Sequence, residues 1–257
     1  MREGSALLNA HFLVFFRLLI IYRVVVIIYS MKMRLTKYGW PQVVVFPVLI
    51  LSAMVLCLLI GLNSWSIWVV YTAEAILAVL LVWVLCFFRD PHRQIPCEKH
   101  LVLAPADGTI TDIETIDENS PLSEPAIRIG IFLSVFNTHI NRAPCDVKVE
   151  KVTYKMGRYK NAANPASGKT NESNALTLVR RDVPGDKLIV RQISGAIARR
   201  IVCKAKEGET LHAGEKFGMI KFGSRTEIYL PLRDNLKSIV KKGDKVKAGE
   251  SILIKYE

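Results

Sequence analysis

Three short stretches of this chain carry side chains suited to bond-breaking chemistry. Gly223-Ser224-Arg225 sits in Lys221-Phe222-Gly223-Ser224-Arg225-Thr226-Glu227, between two β-like runs near the C-terminus. A serine hydroxyl there can attack the preceding carbonyl, and glycine offers no side chain to block the approach. Such a reaction needs a base to take the hydroxyl proton and an acid to orient that base. Phe136-Asn137-Thr138-His139 supplies a histidine, the side chain best poised for proton transfer near neutral pH. Pro105-Ala106-Asp107-Gly108 supplies an acid. Each stretch alone has a plainer reading, because Gly-Ser and Asp-Gly are common turns and a lone histidine is more often structural. His11, His92, His100 and His212 compete with His139; of these, His212 lies not far from Ser224 in sequence and is held in reserve.

The elements that must position these residues follow from composition. Mean hydropathy is +0.25, too apolar for an ordinary soluble domain, yet 23% of the residues are charged. The apolar excess is local: it ends near Phe88, and the rest is long enough for one buried core. Val43–Leu62 and Ile67–Phe88 are each close to the ~20 residues that cross a bilayer. The link Asn63-Ser64-Trp65-Ser66 is polar and aromatic, so the pair reads as a helical hairpin. Lys32, Arg34 and Lys37 precede it, and Arg89, Arg93 and Lys99 follow it, which places both outer ends on the cytoplasmic side. Glu74 falls early in its span, and a position near the interface is its plainer reading.

Phe12–Tyr29 is apolar but carries Arg17 and Arg23. It leaves open an interfacial helix, a poor third span, or an upstream extension ahead of a start at Met31 or Met33; the last is preferred. The chain therefore divides into residues 1–32, an extension of uncertain status, a membrane hairpin over 33–90, and a soluble domain over 91–257.

Five widely spaced cysteines, with no CxxC, indicate neither a disulfide framework nor a zinc site, and no metal is expected. The net charge of +12 on a chain with membrane spans points to anionic lipid headgroups. Nucleic acid is not expected as a partner, since the basic residues are scattered and no helix-turn-helix, finger or RNP-like pattern occurs.

From Leu101 onward short β-like runs alternate with Gly, Pro and Asp, including Lys216–Phe222 and Glu227–Leu230 on either side of the Gly-Ser pair. Arg158–Asn174 is polar and reads as a long loop of the kind that often carries function. Glu207-Gly208-Glu209-Thr210-Leu211-His212-Ala213-Gly214-Glu215 is echoed by Lys242-Gly243-Asp244-Lys245-Val246-Lys247-Ala248-Gly249-Glu250. Such repeats suit a barrel-sandwich-like β domain, and the fold class is mostly β (α+β) behind the helical hairpin.

These motifs together resemble the short bacterial form of the phosphatidylserine decarboxylase proenzymes. The resemblance covers most of the chain: the hairpin, Phe88-Arg89-Asp90-Pro91, the Pro-Ala-Asp-Gly and Asn-Thr-His segments, Asn171-Glu172, Ser194-Gly195-Ala196-Ile197-Ala198-Arg199-Arg200 and Phe222-Gly223-Ser224-Arg225. It implies cleavage between Gly223 and Ser224, giving a β chain that ends at Gly223. The α chain would begin with a covalent pyruvoyl cofactor made from Ser224. It also implies Ser224, His139 and Asp107 as catalytic residues, and a heterodimer of the two chains that is open to further oligomerisation. The implied reaction turns phosphatidylserine into phosphatidylethanolamine and CO2 at the bacterial inner membrane, with the catalytic domain in the cytoplasm.

Two departures stand out. Longer members carry His-x-x-His, where this chain has His139-Ile140-Asn141-Arg142, and arginine does not act as a base. Either His139 serves both maturation and decarboxylation, or Asp107 works through water. The cut site reads Gly-Ser-Arg, where longer members have Gly-Ser-Thr. Arg199 or Arg200 could meet a lipid phosphate, since guanidinium matches its geometry, although a basic edge strand reads equally well. Two rival functions remain, a decarboxylase of a related seryl lipid and a membrane-anchored barrel-sandwich adaptor without catalysis. The adaptor predicts an intact chain.

Overall fold

A computed structural model describes residues 34–61, 66–98, 100–117, 120–183, 185–196, 200–221 and 223–257. The expectations for residues 12–29, Met31, Met33, Asn63-Ser64-Trp65, Arg199 and Phe222 lie outside the described residues. The chain divides into two compact units, Met1–Pro91 and His92–Glu257.

In the first unit, helices span Gln42–Gly61 and Ile67–Phe87. Both are long and apolar enough to cross a membrane. A helix apolar on every side belongs in a protein core or in lipid. Here Val48, Leu49, Val55, Leu56 and Leu59 of the first helix, and Trp68, Ile76 and Val79 of the second, are exposed, as lipid-facing side chains would be. Leu35 bridges Arg89, and the Asp90 amide donates to the Arg34 carbonyl at 2.6 Å. The chain thus enters and leaves the hairpin at one end, with basic residues on both flanks.

The second unit holds fourteen strands among its described residues. They are β1 (Leu101–Leu103), β2 (Gly108–Ile116), β3 (Ala126–Leu133), β4 (Ile140–Arg142), β5 (Val147–Lys155), β6 (Ser173–Arg180), β7 (Lys187–Ile193), β8 (Arg200–Cys203), β9 (Thr210–Leu211), β10 (Lys216–Lys221), β11 (Ser224–Pro231), β12 (Leu236–Ser238), β13 (Lys245–Val246) and β14 (Ile252–Tyr256). An eight-stranded antiparallel sheet runs β13-β2-β3-β11-β7-β6-β5-β9, and three-stranded sheets run β4-β10-β8 and β1-β14-β12. The mostly β expectation holds. Ile129, Ile131, Leu176, Leu178, Leu188, Val190, Ile228 and Leu230 lie in one buried core.

β11 starts three residues earlier than the sequence pattern predicts. Ser224, Arg225, Thr226 and Glu227 are polar, yet all four are fully buried between β3 and β7. Partners brought from distant strands, rather than apolar alternation, keep them in the sheet.

The internal echo is an approximate structural repeat. Gly214 N donates to Ala143 O at 2.8 Å, and Gly249 N to Ala104 O at 2.9 Å. Ala213 N donates to Asp146 Oδ1 at 2.8 Å, and Ala248 N to Asp107 Oδ1 at 2.8 Å. Leu103 N donates to Pro144 O, and Arg142 N to Pro105 O. Ala104-Pro105-Ala106-Asp107 and Ala143-Pro144-Cys145-Asp146 are therefore matching partners of the two repeat turns.

Candidate active site

The inner face of the large sheet changes character along its strands. Leu176, Val190 and Ile228 align across β6, β7 and β11. Two residues further, Asn174, Gln192 and Thr226 align. Asn174 Nδ2 donates to Gln192 Oε1 at 3.2 Å, Gln192 Nε2 to Asn141 Oδ1 at 2.8 Å, and Asn141 Nδ2 to Thr226 Oγ1 at 3.1 Å. This chain of amide bonds ties the three strands to β4 at the end of the apolar core. The register carries the next row to Glu172, Ser194 and Ser224, because Ser173 and Arg225 both pair with Ile193.

Ser224 Oγ is fully buried and has no hydrogen-bond partner among the described residues. A buried hydroxyl left unpaired costs about 1–3 kcal/mol, which suits a nucleophile better than a structural serine. Gly223, just before it, has φ of +64°, a conformation that a side chain would strain. A Cβ on Gly195 would overlap the Gly223 carbonyl oxygen, so the bare backbone of Gly195 is what lets that carbonyl lie there. Asn171 holds Gly195's neighbour in place: its Nδ2 donates to Ser194 O and to Lys160 O, each at 2.8 Å. The long polar stretch predicted as a loop thus folds over this point and includes a short helix, Ser167–Thr170.

His139 reaches the same peptide because β4 pairs with β10, with Ile140 opposite Met219. That register runs the residues before β4 alongside those after β10. His139 Nδ1 lies 3.0 Å from Asn137 O, which only accepts, so Nδ1 carries a proton. Its Nε2 accepts from Gly223 N at 3.1 Å. The imidazole is therefore neutral, with a lone pair directed at the residue that bears the scissile carbonyl.

The opposite face of β11 is ionic. Arg225 is fully buried and donates from Nη2 to both Asp112 oxygens (2.6 and 2.8 Å), from Nη1 to Thr111 Oγ1 (2.6 Å) and from Nε to Glu227 Oε1 (2.8 Å). A Cβ on Gly130 would overlap Arg225 Nη2, so that glycine makes room for the guanidinium. Burial alone would raise the Asp112 carboxyl, but hydrogen bonds from Thr111 and Arg225, with the charges of Arg225 and Arg128, hold it below the usual range. Tyr229 donates to Glu227 Oε2 at 2.7 Å, and burial beside that carboxylate pushes its phenol up to about 12.

Asp107 is placed elsewhere. Arg93 Nη2 donates to both of its oxygens (2.9 and 2.7 Å), and the Ala248 amide to Oδ1. It shares no hydrogen bond with His139 or Ser224. The structure joins His139 to Gly223, the residue before Ser224, and fastens Asp107 to a repeat turn. Arg142 Nη1 donates to Gly214 O at 2.9 Å, in the matching turn. Arg200 is exposed and pairs with Lys221 across β8 and β10. Burial lowers the Lys221 ammonium, and the charge of Arg200 lowers it further.

Residues 80–254 match the family model described as phosphatidylserine decarboxylase. The chain belongs to that family. A phosphatidylserine decarboxylase proenzyme of Azorhizobium caulinodans is 44% identical over 209 residues, covering 80% of this chain and 85% of its own. The proenzyme of Rhodopirellula baltica is 39% identical over 209 residues, covering 81% and 85%. That of Burkholderia ambifaria is 38% identical over 224 residues, covering 87% and 96%. The part of this decarboxylase matched by the family model contains Asp107, His139, Gly223 and Ser224.

Three site features escaped the sequence reading. Arg93 looked like a membrane flank, yet it clasps Asp107. Gly195 gave no sign that it faces a residue 28 positions away (223 minus 195). The acids that hold Arg225 come from β2 and from β11 itself, and only the register shows them as one cluster.

Proposed function

We propose that this chain is a proenzyme that cuts itself between Gly223 and Ser224 and then decarboxylates phosphatidylserine to phosphatidylethanolamine and CO2. The observation that carries the reading is the buried Ser224 hydroxyl, without a hydrogen-bond partner among the described residues, next to a glycine carbonyl that lies against the bare backbone of Gly195. Ser224 Oγ attacks the Gly223 carbonyl carbon, the peptide C–N bond breaks, and an ester forms. His139 Nε2, exchanging the Gly223 N–H for the Ser224 hydroxyl, takes the hydroxyl proton and returns it to the departing Ser224 nitrogen. Elimination from residue 224 releases the Gly223 carboxylate, and hydrolysis of the resulting dehydroalanine releases ammonia and leaves the pyruvoyl group.

The local residues fit that group: residue 224 lies at the start of a doubly paired strand, away from solvent, with an amide network behind it. When formed, the group supplies an electron-accepting carbonyl for the substrate amine. His139 remains beside it to return a proton to the substrate carbon once CO2 has left. Asp107 supports the site through the turn that it fastens.

Strand pairing favours two fragments that stay together. β10 is held by β4 and β8, while β11 lies between β3 and β7, so the cut severs a link between strands anchored separately. The small fragment then contributes the centre of the large sheet. The hairpin anchors the enzyme in the bacterial inner membrane with the catalytic unit in the cytoplasm, and the net charge of +12 favours anionic lipid. Arg200 is the described cation for the lipid phosphate, with Arg199 as its neighbour in sequence.

Intact mass under denaturing conditions tests the reading. Two fragments are expected, one ending at Gly223 and one beginning with a pyruvoyl group, together with CO2 release from phosphatidylserine. A single full-length chain in folded protein, behaving like Ser224→Ala, would favour the adaptor. Faster turnover of another seryl lipid would reassign the substrate.

A further inference from the structure

We infer that Glu172 is a substrate-recognition residue, binding the ammonium of the serine headgroup on its way to residue 224; the inference rests on the reading above. Glu172 is a buried carboxylate that neither maturation nor decarboxylation has used so far. Glu172 lies one residue ahead of β6, where its carbonyl accepts from Ser194 N at 2.9 Å, and extending the register by that residue sets it level with Ser194 and Ser224, two strands from the nucleophile. Strands lie about 4.8 Å apart, so the backbone separation is about 10 Å, a gap of headgroup size. Side chains directly opposite one another share a face of the sheet, so Glu172 stands on the face that carries the amide network and Ser224.

One contact and one unfilled oxygen show how the carboxylate is set. Tyr154 OH donates to Glu172 Oε1 at 2.8 Å, while Oε2 is buried with no hydrogen-bond partner among the described residues. Glu172 as a whole is only 6% exposed. A buried carboxylate oxygen held on one side and left without a donor on the other requires a cation or a donor. Tyr154 pairs with Asn174 across β5 and β6, so it shares that face, and it is 57% exposed. Tyr154, Glu172, Ser194 and Ser224 thus run from an exposed side chain inward to the reacting residue. A primary ammonium meets the unfilled oxygen, whereas a headgroup with only hydroxyls brings no charge to it.

The test compares wild type with Glu172→Gln, which keeps an acceptor for Tyr154 and removes the charge. Self-cleavage, read by intact mass, reports that the variant has folded. With phosphatidylserine in mixed micelles, KM should rise about tenfold or more, as expected on losing a charge-assisted bond, while kcat stays within about threefold. Phosphatidylethanolamine should inhibit wild type more strongly than phosphatidylglycerol does, and the variant should lose that preference. Glu172→Asp should recover part of both effects. An unchanged KM with the inhibitor preference intact overturns the inference. An uncut variant whose melting curve matches wild type also overturns it, by assigning Glu172 to maturation instead; if Glu172→Gln does not fold, the charge-keeping Glu172→Asp carries the KM and inhibitor comparison, and a wild-type result there overturns the inference. An uncut wild-type chain is a different failure, that of the self-cleavage reading itself.

Discussion

Gly195 faces the carbonyl oxygen of Gly223 so closely that the smallest side chain would overlap it. The two glycines belong to different segments, one after β7 and one between β10 and β11, and they meet at the bond that the enzyme is proposed to break. A methyl group at residue 195 would also crowd the Ala162 side chain, so it has little room to yield. Gly195→Ala should therefore turn the scissile carbonyl away from Ser224 and slow self-cleavage by about 10²-fold, the scale of a misplacement near 1 Å. A time course of intact mass after synthesis checks this, and cutting at the wild-type rate would show that the contact is incidental.

His139 touches Gly223 through its unprotonated nitrogen. His139→Gln can still accept from the Gly223 amide but does not take up a proton at neutral pH. Cutting should slow by roughly 10²–10⁴-fold, the usual contribution of a general base, with near-native thermal stability. The same mass measurement, paired with a melting curve, separates loss of the base from loss of the fold.

Asp107 and Asp146 occupy matching positions, each accepting from an alanine amide of a repeat turn. They differ in their other partners. Asp107 holds the nearly buried guanidinium of Arg93, while Asp146 lies 3.5 Å from the exposed ring of His212. Asp107→Asn should destabilise by about 1.5–3 kcal/mol, because Arg93 loses its two shorter charge-assisted bonds and keeps only Glu250 at 3.4 Å, and Asp146→Asn by about 1 kcal/mol or less. Urea unfolding of both variants measures the difference, and Arg93→Met should relieve part of the Asp107→Asn loss. The cutting rate of the same samples distinguishes scaffold from proton transfer: a folded Asp107→Asn protein that stays uncut returns Asp107 to the proton path.

The Asp112–Arg225 pair gives stability an acid limit. The folded carboxyl titrates below its unfolded value, because its hydrogen bonds and cationic neighbours outweigh burial. Its contribution is therefore complete above the ordinary aspartate range and is lost as pH falls through the folded pKa. Wild type should lose stability from about pH 4 downward. Asp112→Asn should start less stable and show a shallower acid limb. Chemical unfolding between neutral and acid pH measures both slopes, and identical slopes would remove Asp112 from the acid transition.

Much of this protein is legible in its sequence, because local physics decides it. Two long apolar runs between basic flanks form two long helices, because a helix satisfies its backbone hydrogen bonds within a single segment. Gly208, Gly214, Gly243 and Gly249 mark repeat turns and adopt positive φ. Gly223-Ser224 stands out as the proposed cut site because an unhindered carbonyl before a hydroxyl is a property of neighbours in the chain.

The tertiary structure decided the rest. Asp107 and His139 look like partners in the sequence, yet pairing of β4 with β10 carries His139 to Gly223, while the repeat turn and Arg93 take Asp107. The start of β11 was hidden because Ser224–Glu227 lacks an apolar face. Its burial depends on Asn141, Asp112 and Thr111, all supplied by other strands. Hydrogen-bond register across strands far apart in sequence sets these meetings, and a one-residue shift of register would exchange the faces of Ser224 and Arg225.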